Sequence, residues 1–312
     1  MPSLASRMMP PLLTALGYRR RFASAQATED LVAARNLRPR TYGPPRLLRR
    51  GVSVSVEDEG GWPLYEIVPS SGLPRGQIVY VHGGAWINQI ALQHWQLVAE
   101  LAVTTGSRVL VPIYPLAPRG TAATVVPRVA DLLGRLASEH GAENVSVVGD
   151  SAGGQIALAA AQLARDAHLA LAHTVLIAPA LDLNLDNPVI DELEPNDPWL
   201  VRPGLRAAVE LWRGDLPLDS PLVSPLFGQM AGLGPLAVFA GTRDITHPDC
   251  ELLVSKARSA GVNTEFHQAP GMVHVYPLLP IPEGRQARRT MARILRGEPR
   301  ISAAAPGTRP TR

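Results

Sequence analysis

Residues 149–153 read Gly149-Asp150-Ser151-Ala152-Gly153, and in their context they are the strongest indication of the fold. The run Val145–Gly149 is apolar like a buried strand, and Ser151–Arg165 has helical spacing. A serine with small neighbours between a strand and a helix is typical of a sharp turn that exposes the hydroxyl at the edge of a sheet. The backbone N–H of Ala152 would then point from the helix N-terminus toward an oxyanion. A serine N-cap packed between glycines is the structural alternative.

Short apolar runs and longer helical segments alternate on both sides of this stretch. Eight runs are predicted as strands: Val52–Val56, Leu64–Val68, Gln77–His82, Arg108–Pro112, Val145–Gly149, Thr174–Ala178, Leu236–Ala240 and Thr264–Gln268. The clearest helical segments are Leu92–Thr105, Val125–His140, Ser151–Arg165, Asp249–Gly261 and Gly284–Leu295. This alternation predicts an α/β fold with a mostly parallel eight-stranded sheet, helices on both faces and an antiparallel hairpin at the leading edge.

The stretch Asp182–Phe227 breaks this alternation with many prolines and acidic residues and one predicted helix, Gly204–Arg213. A structureless loop of that length is uncommon in a compact domain, so we interpret it as an insertion over the carboxyl edge of the sheet. The predicted organisation is N-terminal cap helices in residues 1–45, a main domain over 46–300 with a cap insertion at 183–227, and a disordered tail at 301–312.

A second motif, His82-Gly83-Gly84, follows another predicted strand. Glycines allow a backbone to approach a ligand and to turn its N–H groups outward. We therefore predict that Gly83 and Gly84 form an oxyanion hole together with Ala152. We expect His82 to shape the loop by hydrogen bonding, because it is poorly placed to act as a base.

A reactive serine needs a base and a carboxylate that orients the base. Asp244 and His274 each follow a predicted strand, at the edge of the sheet where Ser151 is expected, and the order serine, acid, histidine matches a hydrolase. His247 and Asp249 are the nearest competitors, and Asp249 is also suited to a helix N-terminus. The remaining candidates are not expected to act as the base or its orienting acid: Asp182, His94, His140, His168, His173, His267 and Cys250. The helical histidines among them, including His94, are expected to be solvated.

The composition excludes several classes of protein. With 46% hydrophobic residues in 312, the chain can bury a real core, and its single cysteine excludes a disulfide framework. Ten of the arginines fall in residues 1–50 and eight in residues 285–312, around an acidic body. We interpret their stems as covering apolar surface, while contact with an anionic surface stays open. No metal-ligand spacing or dinucleotide motif is present, and no nucleic-acid partner is expected.

The N-terminus has some features of a signal peptide, with Arg7 before an apolar stretch and a small-residue triplet at Ala23–Ala25. Pro10 and Pro11 interrupt the apolar stretch, and Arg19–Arg21 place charge where a signal peptide has none. We expect an amphipathic helix on the body of the protein and a cytoplasmic location.

These motifs together resemble the hormone-sensitive-lipase-like, or bacterial type IV, esterase family of the α/β-hydrolase fold. The resemblance covers nearly all of residues 45–296 and includes Tyr114–Pro118 and Asp197–Leu200. The chain departs from the family at Ala85, where a third glycine is usual, and at Arg119, where an acid is usual.

The resemblance implies hydrolysis of short- to medium-chain carboxylic esters by a Ser151/Asp244/His274 triad, with no cofactor or metal. It also implies that Trp86 and Trp199 line an acyl pocket under the cap. Two alternatives stay open: hydrolysis of another acyl bond, such as an arylformamide or a thioester, and a ligand-binding receptor without catalysis. The expected partner is a small ester substrate. Weak membrane-surface association and a homodimer through the edge strand Thr264–Gln268 are further hypotheses.

Overall fold

The computed structural model describes residues 2–45, 48 and 51–299. The predicted tail at 301–312 lies outside the described residues. Eight strands are found within the described part: β1 (Val52–Glu59), β2 (Trp62–Pro69), β3 (Gln77–Val81), β4 (Arg108–Pro112), β5 (Val145–Asp150), β6 (His173–Ile177), β7 (Leu236–Gly241) and β8 (Thr264–Ala269). Each predicted strand is present, with ends that differ by at most a few residues.

The eight strands form one sheet in the order β1-β2-β4-β3-β5-β6-β7-β8. Strand β2 is antiparallel to both of its neighbours, β1 and β4, and the other pairs are parallel. The predicted antiparallel hairpin at the leading edge and the mostly parallel sheet are therefore confirmed. The carboxyl ends of the parallel strands meet at one edge, which is where a ligand site is expected in this architecture.

The helices of the described residues are α1 (Leu4–Ala15), α2 (Ala25–Leu37), α3 (Leu92–Thr105), α4 (Ala122–His140), α5 (Ala152–Asp166), α6 (Ile190–Leu193), α7 (Arg202–Arg213), α8 (His247–Ser259) and α9 (Pro282–Leu295). Short 3₁₀ turns lie between several of them. None of the helices in this part of the chain is long and apolar enough to span a bilayer.

The core lies on both faces of the sheet because the central strands are mostly apolar on both sides. On β3, Ile78 and Tyr80 point to one face, where they pack with α3 and α9. Val79 and Val81 point to the other face, which α4 and α5 cover at this strand. Successive side chains of a strand alternate between faces, so a strand covered on both sides has no polar face. This explains the continuous apolar runs in the sequence.

The N-terminal helices and the insertion between β6 and β7 pack together over the carboxyl edge of the sheet. Arg19 donates hydrogen bonds to the backbone carbonyls of Glu194 and Asp197, at 2.7 and 2.6 Å. A side chain at Gly204 would overlap the backbone of Phe22, so α7 and the N-terminal segment approach as closely as glycine allows. We call this layer, residues 2–45 and 183–227, the cap.

Helix α7 attaches the cap to the body of the protein through one apolar face. Leu205, Ala208, Val209 and Trp212 are buried at the i, i+3, i+4, i+7 spacing of a single helical stripe. The Trp212 indole N–H donates to the side-chain oxygen of Gln155 at 3.0 Å, so its polar atom is satisfied inside the core. Because Gln155 lies in the first turns of α5, this contact places the cap directly above the Ser151 turn.

Candidate active site

Ser151 lies between β5 and α5 with φ of 52° and ψ of −120°. Its N–H donates to the carbonyl of Ile177 at 2.8 Å, and its own carbonyl accepts from the N–H of Ala180 at 3.1 Å. A positive φ is strained for a residue with a Cβ, and neighbouring structure must hold it. The end of β6 provides that support, and the Ser151 side chain borders the cavity under the cap.

The glycines on either side of Ser151 are required by close backbone contacts. A Cβ at Gly153 would overlap the carbonyl oxygens of Val81 and His82, and a Cβ at Gly149 would overlap the carbonyl of Gly153. Strand β3 and helix α5 therefore meet backbone to backbone beside the serine. This contact is the physical reason for glycine at both positions of the motif.

Replacing Gly153 with alanine is expected to lower the free energy of unfolding by about 3 kcal/mol, because the new methyl group overlaps fixed backbone. Denaturant-induced unfolding measures the change. Gly134→Ala is the matched control, since a Cβ there would lie 3.7 Å from Leu169 and alanine favours the helix. Equal stability of the two variants would contradict the close contact at Gly153.

Three predicted residues form a continuous hydrogen-bonded chain. His274 Nε2 lies 2.9 Å from the Ser151 hydroxyl oxygen, and His274 Nδ1 lies 2.7 Å from Asp244 Oδ2. The other oxygen of Asp244 accepts from the N–H of Thr246 at 2.9 Å. His274 and Asp244 are 3% and 0% exposed, so water does not compete for these bonds. The arrangement is that of a serine nucleophile, a base and an orienting carboxylate.

The charges around His274 favour its protonated form. Burial alone would lower the pKa of His274, but the charge and hydrogen bond of Asp244 outweigh burial and raise it above the ordinary value. Asp197 and Asp150 raise the pKa of His274 further. A base of raised pKa accepts a proton from the serine more readily, and the imidazolium that forms is stabilised.

The loop after β3 is held by His82 and Tyr114. The His82 ring stacks on that of Tyr114 with centroids 4.5 Å apart, and the Tyr114 hydroxyl donates to the His82 carbonyl at 2.8 Å. His82 Nδ1 lies 2.7 Å from the Gly83 carbonyl. Burial, followed by the charge of His94, lowers the pKa of His82 to about 4. His82 is thus a neutral structural group, in agreement with the sequence analysis.

The predicted role of Gly83 is wrong. Its N–H donates to Asp150 Oδ1 at 3.0 Å and is therefore not available to an oxyanion. The next two residues, Gly84 and Ala85, have φ of 128° and 51° and border the cavity. Neither of their N–H groups has an acceptor among the described residues. The available donors on this loop lie one residue further along the chain than predicted.

Asp150 connects this loop to the Ser151 turn. Its carboxylate accepts from the Tyr80 hydroxyl at 2.5 Å and from the Gly83 N–H, and lies 3.2 Å from His94 Nε2. Burial raises the pKa of Asp150, but His94, Tyr80 and Gly83 together outweigh it and lower the pKa. The expectation that His94 is solvated is wrong, because its side chain is 12% exposed and bound to this carboxylate. Asp150 ends a buried strand, and its ionised carboxylate is stable there because these hydrogen-bond partners replace water.

Asp197 is a further buried carboxylate beside the catalytic candidates. One oxygen accepts from the N–H groups of Trp199 and Leu200 at 2.8 and 3.0 Å, and the other accepts from the N–H of Ile245 at 3.1 Å. Burial, followed by the charge of Asp244, raises the pKa of Asp197 to about 6. Asp197 thus ties the cap to the loop that carries Asp244.

The cap encloses a cavity of about 430 Å³ that opens over Ser151. Its apolar lining includes Leu181, Leu183, Leu205, Val209 and Leu278. Such a concave, mostly apolar site with a few polar groups is typical of small-molecule binding.

The two predicted pocket tryptophans occupy different positions in this lining. The Trp199 ring meets His274 edge-on at 5.8 Å between centroids and packs on Tyr18 at 4.9 Å. Trp86 is 2% exposed, stacks on Trp212, and donates its indole N–H to Gln155 at 3.0 Å. Trp199 therefore offers more surface to a ligand, while Trp86 mainly supports the wall.

A family model described as alpha/beta hydrolase fold matches residues 78–278. The chain belongs to the α/β-hydrolase fold family. A triacylglycerol lipase of Mycobacterium tuberculosis is 37% identical over 240 residues, which cover 76% of this chain and 50% of the lipase. The chain thus spans about half the length of that relative. An acetyl-hydrolase of Streptomyces hygroscopicus is 32% identical over 227 residues, which cover 70% of this chain and 75% of that protein.

Solved structures agree with this assignment to the hydrolase family. The crystal structure of an esterase from the bacterial hormone-sensitive lipase (HSL) family has a TM-score of 0.74 and 26% sequence identity, and the match covers 88% of this chain and 97% of that chain. The resemblance stated from the sequence motifs is therefore confirmed.

The competing candidates lie outside the hydrogen-bonded chain of this hydrolase. His247 accepts from the Gln268 amide at 2.8 Å, and Asp249 accepts from the Asn187 amide at 2.8 Å in the first turn of α8. Cys250 is fully buried, and burial raises its pKa well above the ordinary value, so it is an unreactive thiol. Among the described residues, no group of three or more His, Cys, Asp or Glu side chains could hold a metal ion.

Proposed function

We propose that this hydrolase is a serine carboxylesterase that cleaves short- to medium-chain acyl esters. The observation that carries the proposal is the hydrogen-bonded chain Ser151–His274–Asp244, which ends in the apolar cavity under the cap. The lipase and acetyl-hydrolase relatives support the same class of reaction.

The reaction follows from the geometry. His274 Nε2 accepts the proton of the Ser151 hydroxyl while the serine oxygen attacks the ester carbonyl. The tetrahedral intermediate collapses when His274 returns that proton to the departing alcohol, which leaves an acyl-serine. Water then enters, gives a proton to His274 and attacks the acyl group, and the second collapse releases the acid and restores Ser151. Asp244 stays ionised and keeps the imidazole N–H of His274 directed to itself.

The oxyanion of each tetrahedral intermediate needs donors that already point at it. The proposed donors are the backbone N–H groups of Gly84, Ala85 and Ala152, all of which belong to residues that border the cavity. Ala152 begins helix α5, where the first N–H groups have no partner within the helix. Each such donor contributes about 10²- to 10³-fold in rate in comparable sites.

A series of p-nitrophenyl esters from acetyl to palmitoyl tests the proposal. The highest kcat/KM is expected at short to medium chains, because the apolar cavity has a limited volume of about 430 Å³. An optimum at palmitoyl would contradict the chain-length range. An arylformamide and a thioester in the same panel show whether another acyl bond is preferred.

Replacing Trp199 with alanine is expected to shift the preferred acyl chain to a longer one. The Trp199 ring lies against His274 and narrows the cavity, so its removal makes room there. We expect the ratio of kcat/KM for decanoyl over butyryl esters to rise about tenfold, as burial of a few more methylene groups allows. Since this ratio compares two substrates of one variant, a general loss of activity cancels. An unchanged ratio would contradict a role for Trp199 in the acyl pocket.

Three hypotheses from the sequence stay predictions: a homodimer, a cytoplasmic location and weak association with membrane surfaces. A homodimer through β8 is compatible with the position of that strand at the edge of the sheet. Size-exclusion chromatography with light scattering measures the oligomeric state. The cytoplasmic location and the weak association with membrane surfaces also remain to be measured.

A further inference from the structure

Two arginines of the N-terminal part of the cap border the cavity under the cap, and a third contacts a loop of its wall. Arg21 and Arg40 border the cavity that also contains Ser151. Arg35 donates to the carbonyl of Ile87 at 2.9 Å, on the loop whose neighbouring residues also line the cavity. Three arginines of one segment thus lie at or beside this cavity.

These arginines lack counter-charges. Within the part of the chain that the structure describes, no carboxylate lies within 4 Å of the guanidinium groups of Arg21, Arg35 or Arg40. The Arg21 guanidinium lies over the Tyr18 ring, 4.4 Å from its centroid, and this contact does not cancel its charge. Other cap arginines are paired, as Arg202 is with Asp191 and Glu194. The contrast indicates that the cap does not neutralise its arginines at the cavity mouth.

Arg35 shows that the three charges act on one another. Burial, followed by the positive charges of Arg40 and Arg21, lowers the pKa of Arg35 to about 10. Its Nε atom is buried and has no hydrogen-bond partner among the described residues. Like charges held together with an unsatisfied donor are stabilised by an anion, and guanidinium groups suit carboxylate, sulfate and phosphate oxygens.

We propose that Arg21, Arg35 and Arg40 form an anion-binding subsite at the cavity mouth, which selects esters that carry a carboxylate, sulfate or phosphate group. For soluble substrates this inference rests on the proposed esterase function. An anionic group bound at the mouth would hold the ester in the cavity that contains Ser151. The uncompensated charge of the cap would then determine substrate choice.

Two kinds of ligand carry such an anionic group: a small anionic ester and the headgroup of an anionic lipid. The second source is relevant because Leu4, Met8, Leu12 and Leu16 form a row on and just beyond α1 and are 80%, 65%, 48% and 57% exposed. Leu12 and Leu16 also border the cavity. An exposed apolar row beside basic residues is typical of a surface that lies on a bilayer.

The soluble arm compares 4-acetoxybenzoate with its neutral methyl ester, methyl 4-acetoxybenzoate. In Arg21→Gln/Arg40→Gln, the ratio of kcat/KM for the anionic over the neutral ester is expected to fall about tenfold. The matched control Arg20→Gln/Arg38→Gln removes two exposed arginines of the same segment that do not border the cavity, and its ratio should equal that of the wild type. Because ratios are compared between variants, the different reactivities of the two esters cancel.

The lipid arm measures co-sedimentation with phosphatidylglycerol vesicles, with phosphatidylcholine vesicles as the neutral reference. Binding that is lost in Arg21→Gln/Arg40→Gln and in Leu4→Ser/Met8→Ser, but kept in the control, supports the subsite with a lipid headgroup as its ligand. A fall in the ester ratio without vesicle binding supports the subsite with a small anionic ester.

The proposal is overturned if the Arg21→Gln/Arg40→Gln variant and its control agree in both the ester ratio and vesicle binding. If the wild type cleaves no ester of either charge, the esterase function fails by itself. The vesicle arm then still decides whether the arginines bind an anion, so the two failures are distinguishable.

Discussion

Ser151→Ala is expected to lower kcat/KM for p-nitrophenyl butyrate by roughly 10⁴- to 10⁶-fold, as loss of a serine nucleophile does in comparable triads. The hydroxyl that lies 2.9 Å from His274 Nε2 is the only group this change removes. Alanine retains the Cβ that the strained turn already accommodates, so the free energy of unfolding should change little. The residual rate would report the oxyanion donors and the binding cavity acting without a nucleophile.

A fluorophosphonate probe and a control variant make this result specific. The probe should add its mass to the peptide that contains Ser151 in the wild type and leave Ser151→Ala unlabelled. Ser220→Ala, which changes a serine of the cap that does not border the cavity, should keep wild-type activity and labelling. Substantial ester hydrolysis by Ser151→Ala would refute the proposed mechanism.

Asp244→Asn is expected to lower kcat by about 10⁴-fold while the fold is retained. The carboxylate accepts from His274 Nδ1 at 2.7 Å and keeps Nε2 free to take the serine proton. An asparagine amide would instead donate toward Nδ1, which favours the tautomer with its proton on Nε2. His274 would then carry a proton on the nitrogen that must accept one.

The same variant has a defined effect on the pH profile. Only neutral His274 acts as a base, and its pKa is raised above 6.5, so wild-type kcat/KM should fall as the pH drops through that raised value. Asp244→Asn removes the charge that raises the pKa of His274, and the acid limb should move to lower pH. If the fall of kcat/KM at acidic pH occurs at the same pH in Asp244→Asn and in the wild type, a group other than His274 controls that fall. Rates for a neutral ester, followed from acidic to neutral pH, measure the limb in both proteins.

Local patterns were sufficient to predict the sheet and the three residues of the proposed triad. The apolar strands are buried on both faces, so their composition differs from that of loops without any tertiary information. The Ser151 turn requires glycine where a Cβ would overlap backbone atoms. The turn can therefore be recognised in the sequence by the spacing of its glycines around the serine. Asp244 and His274 each follow a strand, and the carboxyl ends of parallel strands lie at one edge, so their proximity follows from topology.

The networks around these residues could not be predicted in the same way. The proposed oxyanion donors lie one residue further along than the motif predicts, because nothing local shows that the Gly83 N–H is bound to Asp150. A helical histidine such as His94 is expected in solvent, because the residues near it in the sequence do not indicate that it contacts Asp150. Asp197 lies in a proline-rich loop, and its contact with the N–H of Ile245 joins segments 48 residues apart.

The α/β-hydrolase fold, the Ser151 turn and the chain order of the proposed nucleophile, acid and base could all be predicted from the amino-acid sequence. These features depend on backbone sterics and on the period of apolar residues, which act over a few neighbouring positions. Only the tertiary arrangement shows which N–H groups remain unpaired, how the cap covers the cavity, and that Arg21 and Arg40 border it near Arg35. Those properties depend on distances between residues far apart in the chain, and hydrogen bonds and charges act on distance rather than on sequence separation.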